Sequence, residues 1–306
     1  MLNQRPIIIT GSHRSGTTWA GKMISAAPNV GYIHEPFNIG IKIGINPEPF
    51  HYWFQYISDE NTNNYRQLID DILKFKYPTS KNIAKVKTFS DFKRLLKESA
   101  RFFIYRITKQ RPLIKDPIAF FSTEWLYKNF YCDVIVLIRH PAAFCSSLKI
   151  KDWDFDFSNF INQPLLIEKY LDPFEKEIKD FHINKKDIID QGILLWNCIH
   201  YTMLQYINNY PEWLFIKHED LSLNPLEQFK TIFKNLDLEF TNEAESKILI
   251  STNQNNPIEL TEGNELLRNS RENVSNWKNR LTKEEIDRIK KGTSKISSFF
   301  YTENDW

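Results

Sequence analysis

Pro6-Ile-Ile-Ile-Thr-Gly-Ser-His-Arg-Ser-Gly-Thr-Thr-Trp19 decides the fold. The apolar run Ile7, Ile8, Ile9 breaks into a turn rich in Gly, Ser and Thr, and Trp19, Met23 and Ile24 then recur at helical spacing. This reads as strand, loop, helix. Such a loop leaves unpaired backbone N–H groups at a helix N-terminus, where the helix dipole also favours negative charge, so a phosphate or sulfate is the expected ligand.

Outward from that loop, Val30-Gly-Tyr-Ile-His-Glu35 reads as a second strand ending in polar residues, with Pro36 forcing a turn and the first helix stopping near Pro28-Asn29. Ligands of doubly wound sheets sit at the carboxyl ends of strands, which would bring His34 and Glu35 beside the first loop. Residues 36–50 carry scattered Pro and Gly and read as a loop or lid. His51, Tyr52, Trp53, Phe54 and Tyr56 read as the opening of a helix, either core or a sugar-stacking platform. Further helices are expected over 64–75 and 89–108, the latter apolar through Phe92, Leu95, Leu96, Phe103 and Ile107.

Pro112-Leu-Ile-Lys115 reads as a strand ending at Asp116-Pro117, with a helix through Trp125 and Leu126. Asp133-Val-Ile-Val-Leu-Ile-Arg139 is the clearest buried parallel strand. Pro141 suits the first turn of the helix behind it, 141–150. Residues 164–208 read as helical, with Leu194, Leu195, Cys198 and Ile199 on one face. Trp213-Leu-Phe-Ile-Lys217 returns to strand, Asn224-Pro225 starts a helix, 251–276 reads as a loop, and a short helix falls near 283–291. The expectation is one α/β domain over 1–306, with helical insertions about 50–110 and 160–208.

Forty basic and 38 acidic residues give a net charge of +2, so no global field marks a nucleic-acid binder. The charge is unevenly spread: between Lys74 and Arg111 twelve Lys/Arg stand against Asp91 and Glu98. This stretch is either a solvated helical face or a basic wall facing an anionic nucleotide or polyanionic acceptor. Cys132, Cys145 and Cys198 are odd in number and widely spaced, which argues against disulfides or a zinc site. No signal peptide precedes the first strand and no apolar run approaches the about 18 residues that span a bilayer, so a soluble, cytoplasmic protein is expected.

Gly11 and Gly16 bracket four residues as in a Walker A loop, but Thr17 stands where an NTPase needs Lys, and the cation sits inside the loop as Arg14. Asp116, in a Lys-Asp-Pro turn, makes a poor magnesium partner. The heptapeptide His13-Arg-Ser-Gly-Thr-Thr-Trp19 resembles the 5′-phosphosulfate loop of the sulfotransferases that use 3′-phosphoadenosine 5′-phosphosulfate (PAPS). Three more segments extend the resemblance in order. Val-Leu-Ile-Arg139-His-Pro-Ala-Ala-Phe-Cys-Ser-Ser147 is similar to that family's 3′-phosphate element, Ile-Lys217-His-Glu-Asp-Leu to its Tyr-Glu-Asp-Leu segment, and Val274-Ser-Asn-Trp277-Lys-Asn to its terminal Gly-Asp-Trp-Lys region.

The pattern is nearer to the bacterial, carbohydrate and tyrosylprotein branches than to the cytosolic small-molecule branch. The resemblance implies a three-layer, mainly parallel sheet with a P-loop-like nucleotide core. It also implies PAPS as donor, no metal, and a hydroxyl-bearing acceptor; the branch resemblance, the aromatic-rich segments 51–56 and 153–157 and the basic stretch together tilt that acceptor towards a sugar or polysaccharide, with a peptide as the alternative that the tyrosylprotein resemblance equally implies. His13, Arg14, Ser15, Gly16, Thr17 and Thr18 would take the 5′-phosphate end. Arg139 and Ser147 would take the 3′-phosphate, joined by Arg271 with Arg268 as its rival, because the family's Arg-Lys-Gly is replaced here by Asn-Ser-Arg271-Glu. Glu35 would be the base, with His34 as alternative, and Lys115 and Arg14 would stabilise the leaving oxygen. Two rivals stay open: a nucleotide kinase with an aberrant P-loop, and a non-catalytic nucleotide-binding module.

Overall fold

The computed structural model describes residues 4–48, 50–258 and 266–306. Five strands, β1 (Ile7–Gly11), β2 (Val30–His34), β3 (Arg111–Lys115), β4 (Asp133–Ile138) and β5 (Leu214–Lys217), form one sheet in the order β2-β3-β1-β4-β5. All pairings are parallel, with Ile8 opposite both Ile114 and Val134 and His34 opposite Lys115. Period-two alternation sorts the strand side chains into two cores. Ile8, Ile33, Ile114, Val134 and Val136 join the large core that holds Phe120, Phe121, Trp196 and Tyr206. Ile7, Ile9, Tyr32, Leu113, Ile135 and Leu137 pack with Met23, Ile24, Phe229 and Phe233 on the other face. The outcome is a three-layer α/β domain. Because both faces are covered, the strand centres are apolar on both sides instead of alternating with polar residues, and the charged side chains stand at strand ends.

Parallel strands need crossovers, and the helices at Thr17–Ile24, Thr123–Phe130, Pro141–Lys151 and Ile188–Asn209 supply the pieces. Every strand's carboxyl end therefore opens on the same side. All three cysteines are buried as free thiols. No helix among the described residues is long and apolar enough to cross a membrane.

Several local expectations fail for identifiable reasons. His51–Tyr56 is an irregular turn, not a helix. Its backbone is held by distant side chains: Asn159 accepts the Trp53 N–H (2.9 Å), Gln163 that of Tyr56 (2.8 Å) and Ser122 that of Ile57 (2.9 Å). The helix Phe89–Ile107 forms, but of the apolar face expected for it only Leu95 is buried, with Phe102; Phe92, Leu96, Phe103 and Ile107 face outward. The inner face is filled by Leu95 and by Phe102 against Phe75, Tyr77 and Tyr105. The 164–208 helix is interrupted at 184–187, where Asp187 caps a new helix through the Ile189 and Asp190 amides. The first helix ends at Ile24, four residues before Pro28, and the last one runs on from Lys283 to Ser297. The 251–276 loop contains a helical turn at Ser270–Asn273, and its part at 259–265 lies outside the described residues.

Gly11 ends β1 at φ +135°, and a Cβ there would lie 2.3 Å from the Leu137 carbonyl oxygen of the neighbouring strand. The obstacle is backbone of a central strand and cannot swing away. Gly11→Ala is expected to cost about 3 kcal/mol or more, read as a lower urea midpoint.

Candidate active site

The first loop is shaped by two residues in the left-handed region, Arg14 (φ 67°) and Gly16 (φ 88°). A Cβ on Gly16 would lie 2.5 Å from His218 Nδ1, so the backbone approaches that ring as only glycine allows. Gly16 is the N-cap of Thr17–Ile24 and offers no side-chain cap, leaving the amides of the first helical turn directed at the loop's interior. Trp19 pins this helix through Nε1 to Ser251 Oγ (2.9 Å).

The β4 end reaches back to the same loop. Arg139 donates through Nη1 to the Arg14 carbonyl (2.9 Å), and Arg14 Nε donates to Ser147 Oγ (2.9 Å) in the helix behind β4. Burial pushes the Arg139 guanidinium down to about 10, against the pull of the Glu219 carboxylate. Glu219 in turn accepts from the His140 amide (3.1 Å) and the Tyr301 hydroxyl (3.0 Å). Arg139 Nε and Ser15 Oγ are buried and have no hydrogen-bond partner among the described residues.

At the other end stand β2 and β3. Their register puts His34 beside Lys115, so the Glu35 amide donates to the Lys115 carbonyl (2.9 Å) just past the strand end. Glu35 itself adopts φ 42°, a strained value for a non-glycine. Its Oε1 receives the Lys115 ammonium, which is fully buried, and its Oε2 accepts from Asn38 Nδ2 at 2.6 Å. Burial alone would raise the Glu35 carboxyl, but the Lys115 charge, His34 and Asn38 outweigh it and hold the group below the usual carboxylate value. His34 Nε2 lies 4.0 Å from Glu35 Oε2, and burial with the Lys115 charge lowers its imidazole to about 4. Asp116 is structural: its carboxylate takes the amides of Phe37, Ile118 and Ala119, and burial beside Glu35 raises it to about 7.

Between these two ends lies a cleft of about 350 Å³, bordered by Glu35, Arg14, Thr17, Arg139, Ser147 and Arg268. His13, Gly16 and Thr18 also face it, whereas Ser15 is buried behind the loop and Lys115 beneath Glu35. His34 is not on the wall. Nor is Arg271, which is exposed with Nη2 on the Leu223 carbonyl at 3.3 Å. His13 is boxed edge-on by Phe54, Phe144 and Trp153 at 5.0–5.8 Å, and burial lowers it to about 3, so it stays neutral.

A smaller recess of about 150 Å³ adjoins the cleft and shares His13, Trp53, Ile118 and Trp153 with it. Trp53 and Trp153 meet edge-on with ring centroids 6.2 Å apart. Sequence reasoning did not single out Asn38, Glu219 or His218. Asn38 had a local signal, an amide three residues beyond Glu35 across a Pro-containing turn. The other two lie in Lys217-His-Glu-Asp-Leu, a segment whose resemblance carries no role for its individual members.

Comparison with known proteins agrees with this architecture. No curated protein matches the sequence. Among solved structures, a sulfotransferase domain from the curacin biosynthetic pathway superposes with a TM-score of 0.50 at 13% identity, covering 96% of this chain and 99% of that one. A Mycobacterium avium sulfotransferase gives 0.47 at 13% identity, covering 98% and 78%. At such identities the first of these speaks for the fold alone. The profile described as "Sulfotransferase family" matches residues 6–242, most of the sequence, and on that match the chain belongs to the sulfotransferase family.

Proposed function

We propose that this sulfotransferase takes PAPS as donor and transfers its sulfuryl group to a hydroxyl of a sugar or polysaccharide. The observation that carries the reading is one cleft with a lysine-paired carboxylate at one end and a guanidinium-lined anion loop at the other. Two features favour a doubly anionic nucleotide there. Arg139 Nε is a buried polar atom without a hydrogen-bond partner among the described residues, and the Gly16 N-cap supplies no side chain to the amides of the first helical turn. The amides of residues 14–18 with the Thr17 and Thr18 hydroxyls would hold the 5′-phosphate. Arg139 and Ser147 would hold the 3′-phosphate, with Arg268 better placed than Arg271 to assist.

Bound in this cleft, PAPS supplies the activated sulfur–oxygen bond that transfer requires. Glu35 removes the acceptor hydroxyl proton as its oxygen bonds to sulfur, and the bond from sulfur to the bridging phosphate oxygen breaks. Arg14 and Lys115 neutralise charge growing on that leaving oxygen. Lys115 thereby has two anions to serve. A ligand anion in the loop competes for its ammonium and lets the Glu35 carboxyl rise toward a more basic value. The sulfuryl group carries less charge than a phosphoryl group, so by analogy with phosphoryl transfer fixed cations and amides suffice.

The sugar assignment rests on Trp53 and Trp153. They arrive from segments 100 residues apart and wall one recess beside neutral His13. Indole faces and edges suit the C–H surface of a pyranose, while His13 offers one donor and one acceptor. Calorimetry with 3′-phosphoadenosine 5′-phosphate in EDTA is expected to show binding, and a preference for magnesium ATP would overturn the donor. With radiolabelled PAPS and a panel of oligosaccharides, phenols and tyrosine peptides, label is expected on oligosaccharides. Trp153→Ala is expected to raise acceptor KM about tenfold without moving nucleotide affinity. Label on peptides alone would refute the acceptor class, and nucleotide binding with no transfer to any acceptor would favour a non-catalytic module.

A further inference from the structure

The helix Phe89–Ile107 buries Leu95 and Phe102 and leaves a second apolar stripe in solvent. Phe89 (71% exposed), Phe92 (39%), Leu96 (52%), Phe103 (53%) and Ile107 (59%) fall within about one quarter of the helical circumference at 3.6 residues per turn. Such a row of bulky groups exceeds the scattered apolar residues ordinary on a surface. Flanking it on its two sides stand Lys93 and Lys97 and, opposite them, Arg106, with Lys87 and Lys109 at the ends, whereas Arg94 and Arg101 lie further round the helix. The acids of this stretch are committed locally: Asp91 caps the helix start through the Lys87 and Thr88 amides, and Glu98 is bonded to Arg101. Lys93 and Arg106 lie over the Phe89 and Phe103 rings, at 4.7 and 5.6 Å. Cations therefore sit at the level of the apolar tips.

We propose that this helix docks the protein on an anionic lipid surface, its phenylalanines entering the headgroup boundary and its basic flank meeting lipid phosphates. The charge decides the occupant. A second copy laid on this face would oppose the same excess of cations, whereas an anionic bilayer complements it. A lipid boundary also yields to bulky side chains where a protein partner would need a matching cavity. None of this rests on the donor or acceptor proposed above.

The test is co-sedimentation of the intact protein with phosphatidylcholine vesicles with and without phosphatidylglycerol, at low and high salt. Binding is expected to the anionic vesicles alone and to fall with salt. Phe89→Ser with Phe103→Ser is expected to weaken it roughly tenfold per ring, and Lys97→Gln about fivefold. These positions are exposed, so unchanged thermal melting and unchanged nucleotide binding show each variant folded. Three results overturn the proposal: no sedimentation with anionic vesicles, equal sedimentation with neutral ones, or binding that neither class of variant weakens. A dimer in sedimentation velocity that Phe89→Ser with Phe103→Ser dissolves would give the face to a second copy. Binding to polyglutamate without vesicle binding would give it to an acidic polypeptide.

Discussion

Glu35→Gln is expected to lower kcat about a hundred- to ten-thousand-fold while the affinity for 3′-phosphoadenosine 5′-phosphate stays near wild type. The substitution preserves shape and keeps an amide oxygen for the Lys115 ammonium, so the pairing geometry survives, but the proton acceptor is gone. It also leaves a buried ammonium without its countercharge. Removing one partner of a buried pair outright costs about 3–5 kcal/mol, and the retained hydrogen bond should leave the loss below that range. A lower melting temperature should therefore accompany the lost turnover, and unchanged nucleotide affinity separates the two effects. The pH profile supplies an independent check. Glu35 is held below the ordinary carboxylate value of 4.5, so its basic form is present at every pH above that. The kcat/KM profile should be flat through neutrality and fall only in acid. His34→Ala should change kcat a few-fold at most, since this imidazole borders Glu35 but not the cleft. Loss of turnover in His34→Ala with activity retained in Glu35→Gln would reverse the assignment.

What could be read in the sequence was whatever is local. Isoleucine runs bounded by Gly or Pro specify buried parallel strands wherever they sit, and Gly11 and Gly16 mark backbone shapes no other residue tolerates. The Pro141 helix start follows from a ring that fixes φ. What escaped was set by partners far along the chain. Nothing within 51–56 shows that Asn159 and Gln163 will take its Trp53 and Tyr56 amides and Ser122 its Gln55 carbonyl, so the aromatic spacing alone reads as helical. The Phe89–Ile107 helix carries apolar residues on two sides, and periodicity cannot say which side meets the sheet. Arg268 and Arg271 lie three residues apart and differ in placement because Ser270 is tied to the Ser222 carbonyl and Arg271 follows it outward to Leu223. Lys115 and Glu35 were placed at strand ends from pattern, yet their contact depends on β2 and β3 being neighbours in register.

Arg139→Ala is expected to weaken binding of 3′-phosphoadenosine 5′-phosphate about a hundredfold or more by calorimetry, with kcat at saturating donor far less affected. The guanidinium does two things at once. Nη1 fixes the Arg14 carbonyl in its left-handed turn, and Nε, buried without a hydrogen-bond partner among the described residues, remains available to a ligand. Truncation removes both and strands the buried Glu219 carboxylate, which burial already raises and Arg139 holds down. Glu219 would then titrate higher still, adding a stability loss that is greatest above its new pKa, where the carboxylate must stay charged, and relieved as pH falls below it. Arg139→Lys separates the roles. It restores a charge for Glu219 and most of the stability, yet lacks the planar fork, so its affinity should lie between wild type and the alanine variant. Arg271→Ala, on the exposed Leu223 carbonyl, should shift affinity less than about twofold, as surface contacts do. Equal weakening by Arg271→Ala and Arg139→Ala would mean that the 3′-phosphate is held outside the described cleft wall. A fully recovered affinity in Arg139→Lys would reduce Arg139 to a point charge behind the loop.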